Sequence, residues 1–171
     1  TATFRMRVKL EQTLSQFYHV AARSTFIIVV TAFAIGMVLS LQVASELQRF
    51  GVTRYIADIN AVTILREFAP VFTALLVIGR AGSSITAEIG SMTVTEQIEA
   101  MKMLNLNVFK FIILPRILGC IFACITLTVI FDVVALSAGC FIAVNNLGMM
   151  FDDYYSRLLS AINASNFFVG I

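Results

Sequence analysis

A run of 22 residues without a charged side chain, Ser24–Ser45, constrains this chain more than any other feature. The run is rich in Ile, Val, Phe and Leu, and a helix of about 20 apolar residues crosses the roughly 30 Å hydrocarbon core of a bilayer. The whole chain has the same bias, with 59% hydrophobic and 13% charged residues, which leaves too little polar surface to cover a soluble globule. The sequence therefore predicts an all-α, polytopic helical membrane protein.

Apolar runs and helical spacing divide the chain into six segments. Before the first run, Leu10, Leu14, Phe17 and Tyr18 share one helical face, which indicates an amphipathic helix lying in the membrane interface. The last residues break off as another apolar run begins, so we expect a single membrane domain truncated at its C-terminus. The predicted segments are an interfacial helix at about 3–22, span one at about 24–47, span two at about 59–80, a loop helix at about 93–104, span three at about 111–144, and a polar segment followed by the start of a further span at 145–171.

Basic residues predict how the spans are oriented. Eleven Lys and Arg residues lie in the flanks or at the ends of the spans, and eight of them fall in the N-terminal flank or around the connection after span two. Because basic flanks prefer the cytoplasmic side of a membrane, we expect a cytoplasmic N-terminus and a cytoplasmic connection over 80–110.

That connection contains a helix signal. Thr93 and Glu96 have the spacing of a capping box, and the residues that follow place Ile98 and Met101 on one face. Asn105 is suited to end the helix, because Asn readily adopts the left-handed conformation of a C-cap. The segment 93–104 is either a docking helix for a cytoplasmic partner or a helix that rests on the membrane surface.

Several kinds of chemistry have no support in the sequence. There is no Gly-rich loop ending in Gly-Lys-Ser/Thr, the single histidine, His19, has no clustered ligands, and no dense basic block points to nucleic acid. Cys120, Cys124 and Cys140 lie in apolar stretches and are interpreted as small packing groups. We expect no catalysis, no metal and no cofactor in this chain.

Charges inside span two point to a site. Arg66 and Arg80 are fourteen residues apart, roughly 21 Å along a helix, so at least one of them reaches into the apolar layer. Arg66 could extend its head group to the interface, but a carboxylate at Glu67 cannot reach as far. Ionisable groups within membranes usually face a bundle interior or a wet cavity, and Pro70 would permit a helix break that exposes backbone to such a cavity.

Two further features have more than one interpretation. Asp132 in span three is a proton site, a partner for a basic residue on another helix, or a residue close to an interface. The tract Gly79–Gly90 carries small residues four apart, which is typical of closely packed helices.

Two stretches, "LREFAPVFTALLVIGRAGSSITAEIGSMTVTEQIEAMKML" and "ILPRIL", closely resemble the MlaE-type permeases of ABC systems that move phospholipids between membranes. The resemblance covers about residues 17–139 and includes "GMVLSLQ" in the first span. Two departures, Asn105 for a usual Gly and Asn107-Val108 for a usual Asp-Pro, lie at the end of the loop helix.

This resemblance implies a transport role with several partners. It implies a multi-pass permease subunit of a bacterial inner membrane that forms a homodimer around a phospholipid cavity, with ATP and Mg bound by a separate ABC ATPase. The other implied partners are an MCE-domain protein and a STAS-domain protein. A proton-coupled carrier that uses Asp132 is the alternative.

The predicted site residues form two groups. The residues expected to line the lipid cavity are Leu39, Leu47, Arg66, Glu67 and Phe68, because Arg can pair with phosphate and the others supply an acid and apolar walls. The residues expected to couple the permease to its ATPase are Glu88, Thr93, Glu96, Glu99 and Met101.

Overall fold

The computed structural model describes residues 2–51, 55–104, 107–147 and 150–161, and it is helical throughout these ranges apart from short turns. Three helices are long and apolar enough to cross a membrane, at Thr13–Arg49, Ile56–Val94 and Phe111–Asn146. The prediction of an all-α protein with three spans is thus confirmed. The helices are named α1 (Ala2–Arg49), α2 (Ile56–Val94), α3 (Gln97–Met103), α4 (Leu114–Leu147) and α5 (Phe151–Ala161).

Helix α1 is longer than predicted. The interfacial helix over 3–22 and the span over 24–47 are one uninterrupted helix, because no Gly or Pro occurs before Gly36 to break it. The helix ends at Gly51, whose φ of 69° is left-handed and whose N–H donates to the carbonyl of Gln48.

Helix α2 also extends beyond its predicted end at residue 80. The tract Gly79–Gly90, which we placed in a connection, is helical as far as Val94. Its hydroxyl side chains support the helix, since Ser83 donates to the carbonyl of Gly79 and Thr86 to that of Gly82. Such bonds satisfy the hydroxyls within the helix and leave its surface apolar.

Each of the two prolines follows closely on a π turn. The turn Ile64–Phe68 precedes Pro70, and the turn Phe109–Ile113 precedes Pro115. In both cases the residue before the proline donates its N–H five residues back, from Ala69 to Ile64 and from Leu114 to Phe109. Proline has no N–H and its ring clashes with the carbonyl four residues earlier, so a wider turn at this point lets the helix continue. The helix break that we expected at Pro70 is therefore a π turn within an unbroken helix.

The described residues fall into two compact units. Of these residues, the first unit comprises those up to 25 and those between 74 and 126, and the second comprises those between 26 and 73 and those from 127 onward.

Close helix contacts in the second unit depend on glycines. A Cβ built on Gly36 would lie 2.3 Å from the carbonyl oxygen of Ala135, so α1 and α4 touch backbone to backbone there. A Cβ on Gly139 would lie 2.6 Å from Oγ of Ser40 and 3.2 Å from the hydroxyl of Tyr154. Small residues thus allow the close approach that membrane helices need, because lipid supplies no hydrophobic driving force between them.

A polar cluster is buried at this contact. Nδ2 of Asn60 donates to Oγ of Ser40 at 3.0 Å, which ties α2 to α1. The Tyr154 hydroxyl of α5 lies in the same cluster, and burial raises the pKa of Tyr154 to about 12, with Cys140 adding to the rise and Asn60 opposing it. The phenol is therefore neutral at physiological pH.

The first unit has a similar close contact between α1 and α4. A Cβ on Gly119 would lie 3.0 Å from Cβ of Gln16 and 3.1 Å from the backbone nitrogen of Phe17. By contrast, nothing lies within 4 Å of a Cβ built on Gly79, Gly82 or Gly90. We predicted close helix packing at the Gly79–Gly90 tract. Within the described part of the chain, the close contacts are instead at Gly36, Gly119 and Gly139.

The C-terminal part contains the end of α4 and the whole of α5. Helix α4 continues through Leu147, so the turn expected at 145–148 does not begin at Asn145. The polar segment that carries Asp152 is helix α5. Residues 162–171, where we expected a further span to begin, lie outside the described residues.

Candidate functional site

The π turn Ile64–Phe68 presents the charged pair of the predicted cavity. Ile64 and Leu65 are buried, whereas Arg66 and Glu67 are exposed and Phe68 is half-buried. A π turn adds one residue to a helical turn and so changes the direction of the side chains around it, a device frequently found at functional sites. The structure thus places both charges on the surface of a single chain, inside a helix apolar enough to span a membrane.

Glu67 has no hydrogen bond or ion pair with any residue that the structure describes. An exposed carboxylate within a membrane span is costly unless it meets water, a ligand or another protein surface. Among the described residues, this carboxylate is therefore left without a charged or hydrogen-bonding partner.

A row of phenylalanines forms an apolar wall beside the charges. The rings of Phe68 and Phe72 stack with centroids 5.7 Å apart, and Phe72 stacks in turn on Phe131 of α4 at 6.4 Å. Phe131 is completely buried, so the row joins Phe68 to the core of the second unit. Stacked rings of this kind contribute about 0.5–1.5 kcal/mol per pair beyond their burial, which holds Phe68 in a defined orientation.

The two predicted leucines are in the same unit. Leu39 and Leu47 lie on α1 and are half-buried, on either side of the buried residue Ala44. All five predicted cavity residues thus belong to the second unit. Their common role in lining a cavity stays a prediction.

Asp132 lies one residue after the phenylalanine row. It is only 4% exposed, and its Oδ1 has no hydrogen-bond partner among the described atoms. Oγ1 of Thr73 in the same unit is likewise buried and unpartnered. No described basic side chain pairs with Asp132, so the structural pairing that we considered for it would need a residue from elsewhere.

The predicted coupling residues have a different local structure from the one expected. The Thr93 hydroxyl donates to the carbonyl of Ile89 at 2.9 Å, so Thr93 is an interior residue of α2 and the capping box does not form. Glu96 is the residue before α3, with a left-handed φ of 58° and no capping hydrogen bond from its side chain. The prediction of a capped helix from 93 was wrong, because α2 continues through the residues that would have formed the cap.

The short helix α3 carries the remaining coupling candidates. It comprises Gln97–Met103 rather than 93–104, with Glu99 exposed and Met101 half-buried. Asn105, the predicted C-cap, lies outside the described residues.

Glu88 has a partner that sequence reasoning missed. Its Oε2 lies 2.7 Å from Nη2 of Arg116, and the Arg116 side chain is almost completely buried. The two residues are 28 positions apart, so no local spacing rule relates them. A basic residue directly after Pro115, at the beginning of an apolar helix, was the only available signal.

Taken together, the long apolar helices define a multi-span helical membrane protein. The family described as Permease MlaE matches residues 13–171. The chain belongs to this family.

Curated relatives agree with this assignment. The chain is 40% identical over 114 residues to a probable ABC transporter permease protein of Synechocystis sp., covering 67% of this chain and 43% of the relative. It is 32% identical over 152 residues to the intermembrane phospholipid transport system permease protein MlaE of Haemophilus influenzae, covering 89% of this chain and 58% of the relative. It is 29% identical over 163 residues to a probable ABC transporter permease protein of Porphyra purpurea, covering 95% of this chain and 62% of the relative. The chain thus spans about half of the length of these relatives.

Proposed function

We propose that this chain is part of the permease subunit of an ABC transporter that moves phospholipids between membranes. The observation that carries the proposal is the Arg66–Glu67 pair, exposed at a π turn inside a membrane span and beside a row of stacked phenylalanines. The relative named for phospholipid transport supports the choice of substrate.

The chemistry of the pair suits a phospholipid. An arginine at the centre of a bilayer costs about 2.5–3.5 kcal/mol on insertion scales, so it needs an anionic partner or water. The planar guanidinium can bind a phosphate through two parallel hydrogen bonds, and Glu67 can accept a hydrogen bond from a headgroup amine. Phe68 supplies the apolar surface for the acyl chains.

A second copy of the chain would complete the site. In a homodimer the exposed charges of both copies would face a shared cavity, with Leu39 and Leu47 as further apolar walls. We place this dimer in a bacterial inner membrane with a cytoplasmic N-terminus, an MCE-domain partner on the far side and a STAS-domain protein on the ATPase.

ATP hydrolysis is assigned to a separate subunit. The exposed segment around Glu96, Glu99 and Met101 is the proposed contact with that ATPase, since it connects two membrane spans through a short helix. Glu88 and Thr93 would act from within α2, which ends next to this segment.

The test is the amount of phospholipid retained by the purified full-length transporter. Arg66→Lys should lower it at least about tenfold, because an ammonium lacks the planar fork, and Glu67→Gln should lower it as well. Phe68→Arg should abolish it, since it places a second cation against the acyl chains. Arg49→Lys is the matched control, because Arg49 is an exposed arginine paired with Glu46 at the end of α1. Normal lipid retention in all three site variants would refute the proposed cavity.

A proton-coupled carrier is the second candidate, and the buried, unpartnered Asp132 is the observation that favours it. Such a carrier would transport without an ATPase and depend on pH. If Asp132→Asn abolishes pH-dependent transport by the protein alone, this candidate replaces the ABC permease; if transport requires ATP hydrolysis, it is excluded.

A further inference from the structure

A small polar pocket lies between α1 and α2 in the first unit. Its volume is about 160 Å³, smaller than the roughly 300–1,000 Å³ of pockets for drug-sized ligands, so it suits one small polar group. The polar side chains that line it are Gln16, His19, Arg23, Ser24, Arg80, Ser84 and Glu88.

The pocket has an excess of positive charge. Arg23 and Arg80 contribute two cations, and Glu88 is the single acid among the lining residues. The Glu88 carboxylate is already neutralised by Arg116 at 2.7 Å, which leaves both lining arginines without a counter-charge in the pocket. Cations held close together in this way attract an anion.

The environment of Arg116 also supports an excess of positive charge at the pocket. Its side chain is almost completely buried, and its Nη1 has no hydrogen-bond partner among the described atoms. The Arg116 guanidinium therefore has donors that Glu88 does not use. The formal charges of Glu88 and Arg116 cancel, so the pair supplies no net negative charge to its surroundings.

The surroundings of the pocket are apolar and exposed. On the two helices that form it, Tyr18 is 71% exposed and Ile78 is 67% exposed, and both residues belong to candidate membrane spans. An anion that reaches this pocket from the membrane would carry acyl chains that cover these side chains. Basic pockets between membrane helices bind lipid headgroups in this way.

We propose that the Arg23–Arg80 pocket binds the headgroup phosphate of an anionic phospholipid. The guanidinium groups pair with the phosphate oxygens, Ser84 and Gln16 donate further hydrogen bonds, and the acyl chains lie along the exposed faces of α1 and α2. This site uses none of the residues of the proposed transport cavity, so a lipid bound here is resident and is not the transported substrate.

The single histidine of the chain offers a direct readout. Because His19 lines the pocket, the imidazole resonances of ¹⁵N-histidine-labelled full-length protein that disappear in His19→Gln report on this site. In phosphatidylcholine nanodiscs, these resonances should shift saturably as phosphatidylglycerol is added. Inorganic phosphate at matched ionic strength should produce no shift.

Charge variants test the assignment. Arg80→Gln and Arg23→Gln should each weaken the phosphatidylglycerol response at least about tenfold, whereas Arg80→Lys should weaken it less than Arg80→Gln, because it keeps the charge and loses only the planar fork. Arg49→Gln removes an exposed arginine of α1 outside the pocket and should leave the response unchanged. Arg66→Lys should also leave it unchanged, which separates this site from the transport cavity.

Several outcomes would overturn the proposal. An unchanged His19 signal at all phosphatidylglycerol fractions would exclude the lipid site, as would an equal loss of response in Arg49→Gln. A shift with inorganic phosphate alone would assign the pocket to a soluble anion, and a shift only on addition of the ATPase would assign it to a protein contact.

Discussion

At Gly36 and Gly139, single glycines decide how closely the helices of the second unit approach. The atoms that a Cβ on Gly36 would meet are the backbone oxygen, Cα and carbonyl carbon of Ala135, none of which can rotate away. At Gly139 the nearest atom is instead the hydroxyl of Ser40, which has a rotatable bond. Gly36 is therefore the more restrictive of the two positions.

We predict that Gly36→Ala destabilises the protein, whereas Gly90→Ala does not. The first change forces α1 away from α4, and overpacking of this kind typically costs about 1–3 kcal/mol or more. The second adds a methyl group where nothing lies within 4 Å, and it removes the helix penalty of glycine, about 1 kcal/mol. Thermal unfolding in detergent, monitored by circular dichroism, gives the melting temperatures of both variants. Equal melting temperatures for the two variants would contradict the contact.

The sequence could not tell which small residues make contacts. Small residues four apart occur both around Gly36 and Ser40 and in the tract from Gly79, and spacing alone made the second the more visible candidate. What distinguishes them is whether another helix passes that face, and this depends on the whole fold. Arg66 and Glu67 were easier to recognise, because two charges inside an apolar run stand out without knowledge of any neighbour.

At the scale of elements, the junction between α2 and α3 has the least favourable backbone conformation described. Glu96 is the one residue other than glycine with positive φ in the described part of the chain, and this conformation costs roughly 1–2 kcal/mol for a residue with a Cβ. Helix α3 depends on this residue, since its first turn begins with the bond from Ala100 N–H to the Glu96 carbonyl at 3.0 Å.

We predict that hydrogen exchange in α3 is slower in the Glu96→Gly variant than in the Glu96→Ala variant. Both variants remove the carboxylate, but only glycine relieves the left-handed strain, which should stabilise the junction by about 1 kcal/mol. That difference corresponds to roughly fivefold slower hydrogen exchange at the Ala100 amide, because 1.4 kcal/mol is a factor of about ten. Identical exchange in the two variants would show that Glu96 carries no strain.

The elements were predictable to different degrees. Apolar length alone identified the three spans, because the bilayer sets a minimum helix length. The capping box at Thr93 was misleading, because a capping pattern describes a helix start and cannot show that an earlier helix already runs through it. The π turns were not predicted either. Pro70 and Pro115 follow two of the three described, Ile64–Phe68 and Phe109–Ile113, whereas the third, Ile78–Gly82, has no proline close to it.

At the scale of the whole molecule, the order of spans relates the N-terminus to the connection that contains α3. Two crossings, α1 and α2, separate them, so both lie on the same side of the membrane if each helix crosses once. Eight of the eleven basic residues in the flanks or at the ends of the predicted spans fall on this side, which favours the cytoplasm.

We predict that a cysteine at Glu99 is protected from impermeant maleimide in intact cells and reacts after permeabilisation. Asn145→Cys, at the other end of α4, should react in intact cells and serves as the matched control. Both variants require the native cysteines, Cys120, Cys124 and Cys140, to be replaced first, since all three are free thiols. Labelling of the Glu99→Cys variant from outside would reverse the proposed orientation.

The π turn Ile64–Phe68 also determines which face of α2 is buried. The buried residues of α2 in the second unit include five at uniform intervals of four: Ala57, Ala61, Leu65, Ala69 and Thr73. In a regular α-helix a stripe of this spacing would rotate by about 40° per interval, or about 160° over the four intervals. One extra residue in a widened turn absorbs about 100° of that rotation. A helical wheel drawn at 3.6 residues per turn would therefore place Thr73 about 160° from Ala57 although both are buried, and it would misdirect mutagenesis beyond Phe68 by about 100°.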